Sequence, residues 1–175
     1  GLVARAAHAL VRRQYQVLHD NILPDLRDAG IIFLRRAEWT DAQRIWIRSY
    51  FVREVLPVLT PIGLDPSHPF PRLLNKSLNF AVELEGKDAF GRSIDKAIVQ
   101  APRVLPRVIR LPKELCESEY GFVFLSSVLH EFVGELFAGM NVLGCYQFRV
   151  TRNSDLFVDE EEVKNLRATI QGELP

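Results

Sequence analysis

The residues best suited to chemistry in this chain follow a proline-rich stretch, DPSHPFP, at positions 65–71. Each proline fixes its own φ torsion and disfavours the α region for the residue before it, so no regular helix can cross the stretch. Arg72, Asn75 and Lys76 come directly after it, where a rigid backbone can aim side chains with little loss of entropy. Guanidinium and ammonium groups bind phosphate oxygens, so these residues are the leading candidates for a polyanion contact.

The same turn allows a second interpretation, in which it has no ligand. Asn75 and Ser77 are residue types that commonly satisfy backbone groups in turns. Arg72 and Lys76 would then be solvated surface residues. The proline stretch itself is expected to be ordered, because prolines reduce the entropy of the unfolded chain.

Weaker candidates lie on either side of this turn. His68 stands between two prolines and could contribute to the site or bond the backbone of its own loop. Arg103, Arg107 and Arg110 follow one another in a proline-bounded segment and could line a path for a polyanion. The alternative for these arginines is a solvated strand edge, where charges discourage pairing with other chains.

The sequence contains no motif for a self-contained catalytic reaction. P-loop, GxGxxG and GxSxG patterns are all missing from it. The histidines show no metal-ligand spacing, and Cys116 and Cys145 indicate neither a metal site nor a disulfide framework. We therefore predict no catalytic residue and no metal site within these 175 residues.

Composition limits the class of protein. The chain is 47% apolar and 25% charged, which is typical of a globular domain. Its 22 basic and 22 acidic residues give a net charge of zero. Because nucleic-acid-binding domains are usually basic, we predict no nucleic-acid partner. No apolar run approaches the ~20 residues of a membrane-spanning helix, so we predict no transmembrane segment.

The helices that must position these residues are visible in the apolar periodicity. Residues 2–29 carry one stripe at alternating spacings of three and four, which predicts a long N-terminal helix that stops at Gly30. At Pro24 we expect either a kink or a break that restarts with this proline in the first turn. The apolar face of this helix needs a partner. Thr40 and Gln43 predict a capping box at the start of a second helix, which is apolar almost all round and so is expected to be buried on more than one side.

Strands and further helices complete the pattern. We predict a short buried strand at 31–34, a hairpin of 79–85 with 97–101, an edge strand at 105–111, a short strand at 122–125 and a half-exposed strand at 144–151. Ser126 or Ser127 is expected to cap a third helix, and Asp159 to open a last one. Interspersed helices and strands with a hairpin predict an α+β fold, a mixed sheet with flanking helices preceded by the long N-terminal helix.

Three contiguous segments carry a family resemblance: LTPIGLDPSHPFP, NKSLNFAVEL and APRVLPRVIRLP. They resemble the head (middle) domain of the long bacterial polyphosphate kinase, a family that makes polyphosphate reversibly from ATP through a phosphohistidine. The resemblance implies that residues 1–30 are the last helix of the N-terminal helical domain. It implies that 31–175 are most of the head domain, truncated at the C-terminal side.

The resemblance also implies partners and chemistry. The head domain would support a homodimer and the active-site tunnel, with the remaining domains of the same polypeptide and polyphosphate as partners. ATP and magnesium would belong to the full-length enzyme, with no cofactor in this part, which alone would be inactive. A cytoplasmic location is implied, with membrane association of the full-length enzyme left open. The alternative is a scaffold or dimerisation module without any phosphate role.

Overall fold

The computed structural model describes residues 1–64, 70–88, 91 and 93–151. The predicted position of His68, the order expected of the proline stretch before Phe70, and the helix expected from Asp159 lie outside these residues.

The N-terminal helix is continuous but changes its winding before the proline. It consists of α1 (Leu2–Val17), a π-helical turn (Leu18–Ile22) and α2 (Leu23–Asp28). Pro24 stands in the first turn of α2, where its missing N–H is one of the donors that a helix start leaves unpaired. Pro24 therefore occupies the first turn of a new α-helical segment, as predicted, but the helix is not broken before it. Gly30, at φ 77°, ends the helix in the left-handed region that favours glycine.

The predicted apolar stripe of this helix faces solvent. All of α1 lies within the described residues, and none of its side chains is buried. Val11, Tyr15 and Ile22 are exposed members of the stripe. Because helix stability in proteins comes mainly from packing of an apolar face, α1 is poorly supported by packing within the described structure.

The strands form two sheets. The order β1-β6-β5 makes a three-stranded sheet, and β2-β4-β3-β7 makes a four-stranded one. Only β1 and β6 pair in parallel among the described strands; the other pairs are antiparallel. The strand bounds are β1 Ile31–Phe33, β2 Pro61–Gly63, β3 Leu78–Gly86, β4 Lys96–Ala101, β5 Val108–Arg110, β6 Tyr120–Phe124 and β7 Met140–Phe148. The α+β prediction is confirmed, with the strands divided between a mixed and an antiparallel sheet.

Two strand predictions need adjustment. The edge strand expected at 105–111 is indeed at a sheet edge, but it is limited to β5, since the Leu105 N–H bonds the carbonyl of Pro102 in a turn (3.3 Å). The strand β1 is half-buried, because only one face of the small sheet lies against the core.

The second helix begins as predicted. In α3 (Asp41–Tyr50), the Thr40 hydroxyl accepts from the Gln43 N–H at 3.2 Å, and the Gln43 side chain accepts from the Thr40 N–H at 2.9 Å. The Gln43 amide nitrogen also donates to the carbonyl of Leu115 at 2.8 Å, so this buried cap ties α3 to the segment after β5. A π-helical turn (Phe51–Val55) and a 3-10 turn (Leu56–Val58) continue the helix.

The burial expected for this helix on more than one side is wrong. Ile47, Phe51 and Val55 are fully buried on one face, whereas Ile45 is 72% exposed on another. The core lies on one side only, where α3 and its extension meet the four-stranded sheet and the helix α4 (Leu125–Phe132).

The helix α4 starts without the predicted serine cap. Strand β6 runs directly into it, with Phe124 as the N-cap residue, and within the described structure this cap makes no side-chain hydrogen bond. Ser126 and Ser127 consequently lie inside the first turn. The Leu125 N–H is instead satisfied by the carbonyl of Arg107 at 3.0 Å. A 3-10 turn (Val133–Leu136) follows and leads to β7.

Candidate functional site

The candidate polyanion contact lies on a turn between the proline stretch and β3. We name residues 70–77 the cationic turn. The Ser77 N–H and hydroxyl both donate to the carbonyl of Leu74, at 3.2 and 2.7 Å, which closes the turn. Leu73 is buried and anchors it, whereas the side chains of Arg72 and Lys76 are exposed.

Lys76 has an unusual backbone. Its φ is 55°, and it is the one non-glycine residue with a positive φ among those described. Its N–H donates to the carbonyl of Val150 at 2.8 Å, just beyond the end of β7. The left-handed region is unfavourable for a residue with a Cβ, so the surrounding bonds must hold Lys76 there.

A buried polar network supplies that support. The Asn79 amide donates to the hydroxyl and to the carbonyl of Ser77, both at 3.0 Å, and the Gln100 amide of β4 reaches the same hydroxyl at 3.3 Å. Asn79 is 0% exposed and Ser77 2% exposed. Both residues can be buried in spite of their polar side chains, because hydrogen bonds satisfy their polar atoms.

A third cation joins the turn through a distant part of the chain. The Arg103 guanidinium donates to the carbonyl of Asn75 at 2.9 Å, and its side chain is exposed. The cationic turn thus brings Arg72, Lys76 and Arg103 into one exposed region. Local sequence patterns could not predict this contact, because 28 positions separate Arg103 from Asn75.

The other two arginines of the proline-bounded segment make contacts with other elements. Arg107 offers its carbonyl to the start of α4. The Arg110 guanidinium lies 4.8 Å from the ring centroid of Tyr120, a cation–π contact on the small sheet. The path expected along these arginines stays a prediction.

Burial shifts the pKa values of both cysteines and of His130. Burial raises the pKa of both thiols, with Glu114 adding to the effect at Cys116 and Arg36 opposing it at Cys145. Burial, and then the Arg36 guanidinium, lower the pKa of His130, whose Nδ1 is 3.4 Å from an Arg36 nitrogen. The thiols are therefore protonated and this imidazole uncharged near pH 7.

Charged residues that sequence inspection missed join α3 to α4. Glu131 pairs with Arg44 and lies 3.8 Å from Arg36. Glu135 receives two bonds from Arg48, at 2.8 and 3.2 Å, in the bidentate geometry that guanidinium and carboxylate prefer. The two residues of each pair are 87 or more positions apart in the sequence, so no local pattern could predict the pairing. These pairs link α3 and the turn before it to α4 and the 3-10 turn that follows it.

The described residues contain neither a metal-binding cluster nor a membrane-spanning helix. No group of three or more His, Cys, Asp or Glu side chains there is arranged to hold a metal ion. None of the helices in that part of the chain has the length and apolar character needed to cross a bilayer.

Comparison with known proteins defines the class to which this α+β fold belongs. The family model described as polyphosphate kinase middle domain matches residues 42–175. The crystal structure of polyphosphate kinase from Porphyromonas gingivalis superposes with a TM-score of 0.74 at 28% identity, covering 90% of this chain and 25% of that one. The chain belongs to the polyphosphate kinase family and corresponds to its middle domain.

Curated relatives agree at higher identity. Polyphosphate kinase of Neisseria meningitidis serogroup C is 66% identical over 172 residues, which cover 98% of this chain and 25% of that protein. Polyphosphate kinase of Burkholderia vietnamiensis is 62% identical over 174 residues, 99% of this chain and 25% of that protein. The chain thus spans about a quarter of the length of the relatives it matches.

Proposed function

We propose that this chain is a non-catalytic head-domain fragment of an enzyme that transfers the terminal phosphate of ATP reversibly to polyphosphate through a phosphohistidine. One observation carries the proposal. Nearly the whole chain matches a segment that makes up one quarter of the length of proteins named polyphosphate kinase. ATP, magnesium and the phosphorylated histidine are assigned to the remaining domains of the polypeptide.

The cationic turn is the part of this domain that we assign to polyphosphate. Arg72 and Lys76 present positive charge from a backbone that is braced by buried hydrogen bonds. Arg103 adds a third charge through its bond to the Asn75 carbonyl. A linear polyanion requires cations at spaced positions along its path and little shape complementarity, which an exposed turn can provide.

A structural role in the assembled enzyme accompanies this contact. The exposed apolar stripe of α1 is a surface suited to packing against other domains or a second subunit. We propose that the domain supports a homodimer and the walls of the active-site tunnel. The same stripe favours the alternative, a scaffold or dimerisation module without any phosphate role.

The two functions are separated by a double substitution in the full-length enzyme. Arg72→Ala with Lys76→Ala should weaken polyphosphate affinity and flatten its dependence on salt, because released counterions set that dependence. Thermal stability should stay nearly unchanged, since both side chains are exposed. Unaltered affinity and salt dependence would contradict the polyphosphate contact and favour the scaffold function. Lost stability without lost binding would show that both residues serve the fold.

A further inference from the structure

Three segments of the chain meet at one end of the four-stranded sheet. Leu78 of β3 pairs with Ala101 of β4, and the next residue of β3 pairs with Phe148 of β7. The cationic turn therefore enters the sheet where residues 102–105 and residues 149–151 leave it. The two hydrogen bonds described above tie both of these segments to the cationic turn. We name the three segments together the basic end of the sheet.

The charge of the basic end has one sign. Its segments contain no aspartate or glutamate. The exposed cations of these segments are Arg72, Lys76, Arg103 and Arg149. Because the whole chain has equal numbers of basic and acidic residues, this positive charge is a local concentration. A ligand that is complementary to the basic end must therefore bring negative charge.

Large apolar side chains are exposed among these cations. Phe70, Leu74 and Val104 are 61%, 54% and 80% exposed. The sequence neighbours Leu73 and Leu105 are buried, at 2% and 7% exposed. Each of the two turns is thus anchored by a buried leucine and presents an apolar neighbour to solvent. Single exposed apolar residues are ordinary, whereas several at one basic end form a mixed surface of the kind that marks an interaction site.

We propose that the basic end docks an acidic protein segment that carries apolar side chains and belongs to another domain of the same polypeptide. Protein interfaces are enriched in arginine and aromatic residues and depleted in lysine, and all but one of the cations here are arginines. The chain covers 25% of its curated relatives, so most of a polypeptide of that length lies outside it and could supply the segment. The inference rests on the proposal that the chain is part of such an enzyme, and it does not rest on the polyphosphate contact.

The backbone of the basic end favours a protein over a fluid bilayer. Buried hydrogen bonds of Ser77 and Asn79 brace the cationic turn, and a preorganised surface lowers the entropy lost on binding a partner of fixed shape. A bilayer surface adapts its own shape, so it gains little from such a turn. Polyphosphate has no apolar groups and would leave the three exposed apolar side chains in water. Because both ligands would use the cations of this turn, polyphosphate and the acidic segment should compete.

The test measures binding of a short fluorescent peptide of glutamate, leucine and phenylalanine to the 175-residue chain by anisotropy at low salt. Leu74→Ser with Val104→Ser should weaken binding about tenfold, because both side chains would be buried in the interface. Leu10→Ser with Val3→Ser is the matched control, because it changes the same residue types at 73% and 82% exposed positions of α1. The control should keep peptide affinity within about twofold of the parent value.

Variant peptides and vesicles test the chemical class of the partner. A peptide with serine in place of leucine and phenylalanine should bind about tenfold more weakly, and equal binding would overturn the proposal by showing that charge alone is recognised. No detectable binding of the parent peptide would also overturn it. Binding of phosphatidylserine vesicles without binding of the peptide would overturn it in favour of a bilayer.

The full-length enzyme tests the source of the segment. If another domain already covers the basic end, the peptide should bind the full-length enzyme at least about tenfold more weakly than it binds the chain. Equal binding to both would overturn the assignment to the same polypeptide.

The polyphosphate contact is separated by competition on the 175-residue chain. Leu74→Ser with Val104→Ser should leave polyphosphate affinity unchanged while it weakens peptide binding. Peptide binding that polyphosphate fails to displace would support this inference and contradict the polyphosphate contact. Polyphosphate binding without peptide binding would overturn this inference alone.

Discussion

Lys76 allows backbone strain and charge to be separated in one experiment. Its φ of 55° places it in the left-handed region, which disfavours residues with a Cβ by roughly 1–2 kcal/mol. Glycine adopts this region freely but loses roughly 0.4–1 kcal/mol more entropy on folding than a residue with a side chain. Lys76→Gly should therefore stabilise the chain by about 0.5–1 kcal/mol.

Lys76→Ala is the matched variant, because it removes the same charge and keeps the Cβ. Its stability should remain within about 0.5 kcal/mol of the parent, as for other exposed substitutions. Urea denaturation of the chain measures both values. Lys113→Ala, at an exposed lysine outside the cationic turn, controls for loss of a charge.

The same variants in the full-length enzyme test the polyphosphate contact. Loss of one exposed charge-assisted contact should cost about 1 kcal/mol, or roughly fivefold in affinity, and lower the salt slope by about 0.7–1. Both Lys76 variants should show this loss equally. If Lys76→Gly destabilises the chain, the backbone at Lys76 is not strained. If both Lys76 variants bind polyphosphate as tightly as Lys113→Ala does, the charge of Lys76 does not contact polyphosphate.

Three further predictions follow from the structure. The chain incubated with ATP and magnesium should yield no polyphosphate above a protein-free blank, and chain-dependent synthesis would contradict its assignment as non-catalytic. Thr40→Ala should lower the free energy of unfolding by about 1 kcal/mol through loss of the helix cap, while Thr40→Ser should retain most of it. Since burial raises the pKa of the Cys145 thiol, alkylation by iodoacetamide should be slow at pH 7 and rise only at a pH above that of an exposed cysteine; rapid labelling at pH 7 would refute the burial argument.

Local chemistry made much of the fold predictable. Thr40 and Gln43 form their capping box from neighbouring residues alone, and Pro24 and Gly30 act within one helical turn. The hairpin of β3 and β4 likewise follows from alternation on either side of a glycine-bounded turn. Each of these features depends on contacts that are close in sequence.

Features set by distant contacts escaped prediction. Alternation gives no reason for Ser77 and Asn79 to be buried; that depends on Gln100 of the neighbouring strand. The serines of α4 fail as caps because strand β6 leads straight into the helix and a carbonyl from Arg107 satisfies its first N–H. The meeting of Arg103 with the cationic turn has the same origin, a contact between separate segments.

The support around Lys76 bears on which function of the cationic turn is correct. A lysine that serves only to solvate the surface needs no left-handed backbone, and a glycine or asparagine would meet the turn's geometry with less strain. Here the strained residue is held at its N–H by Val150 and on its C-terminal side by the buried Ser77 and Asn79 network. Strain that the surrounding structure maintains is found preferentially where a side chain must be aimed. This backbone therefore favours an oriented cation, and with it the polyphosphate contact over the solvated turn.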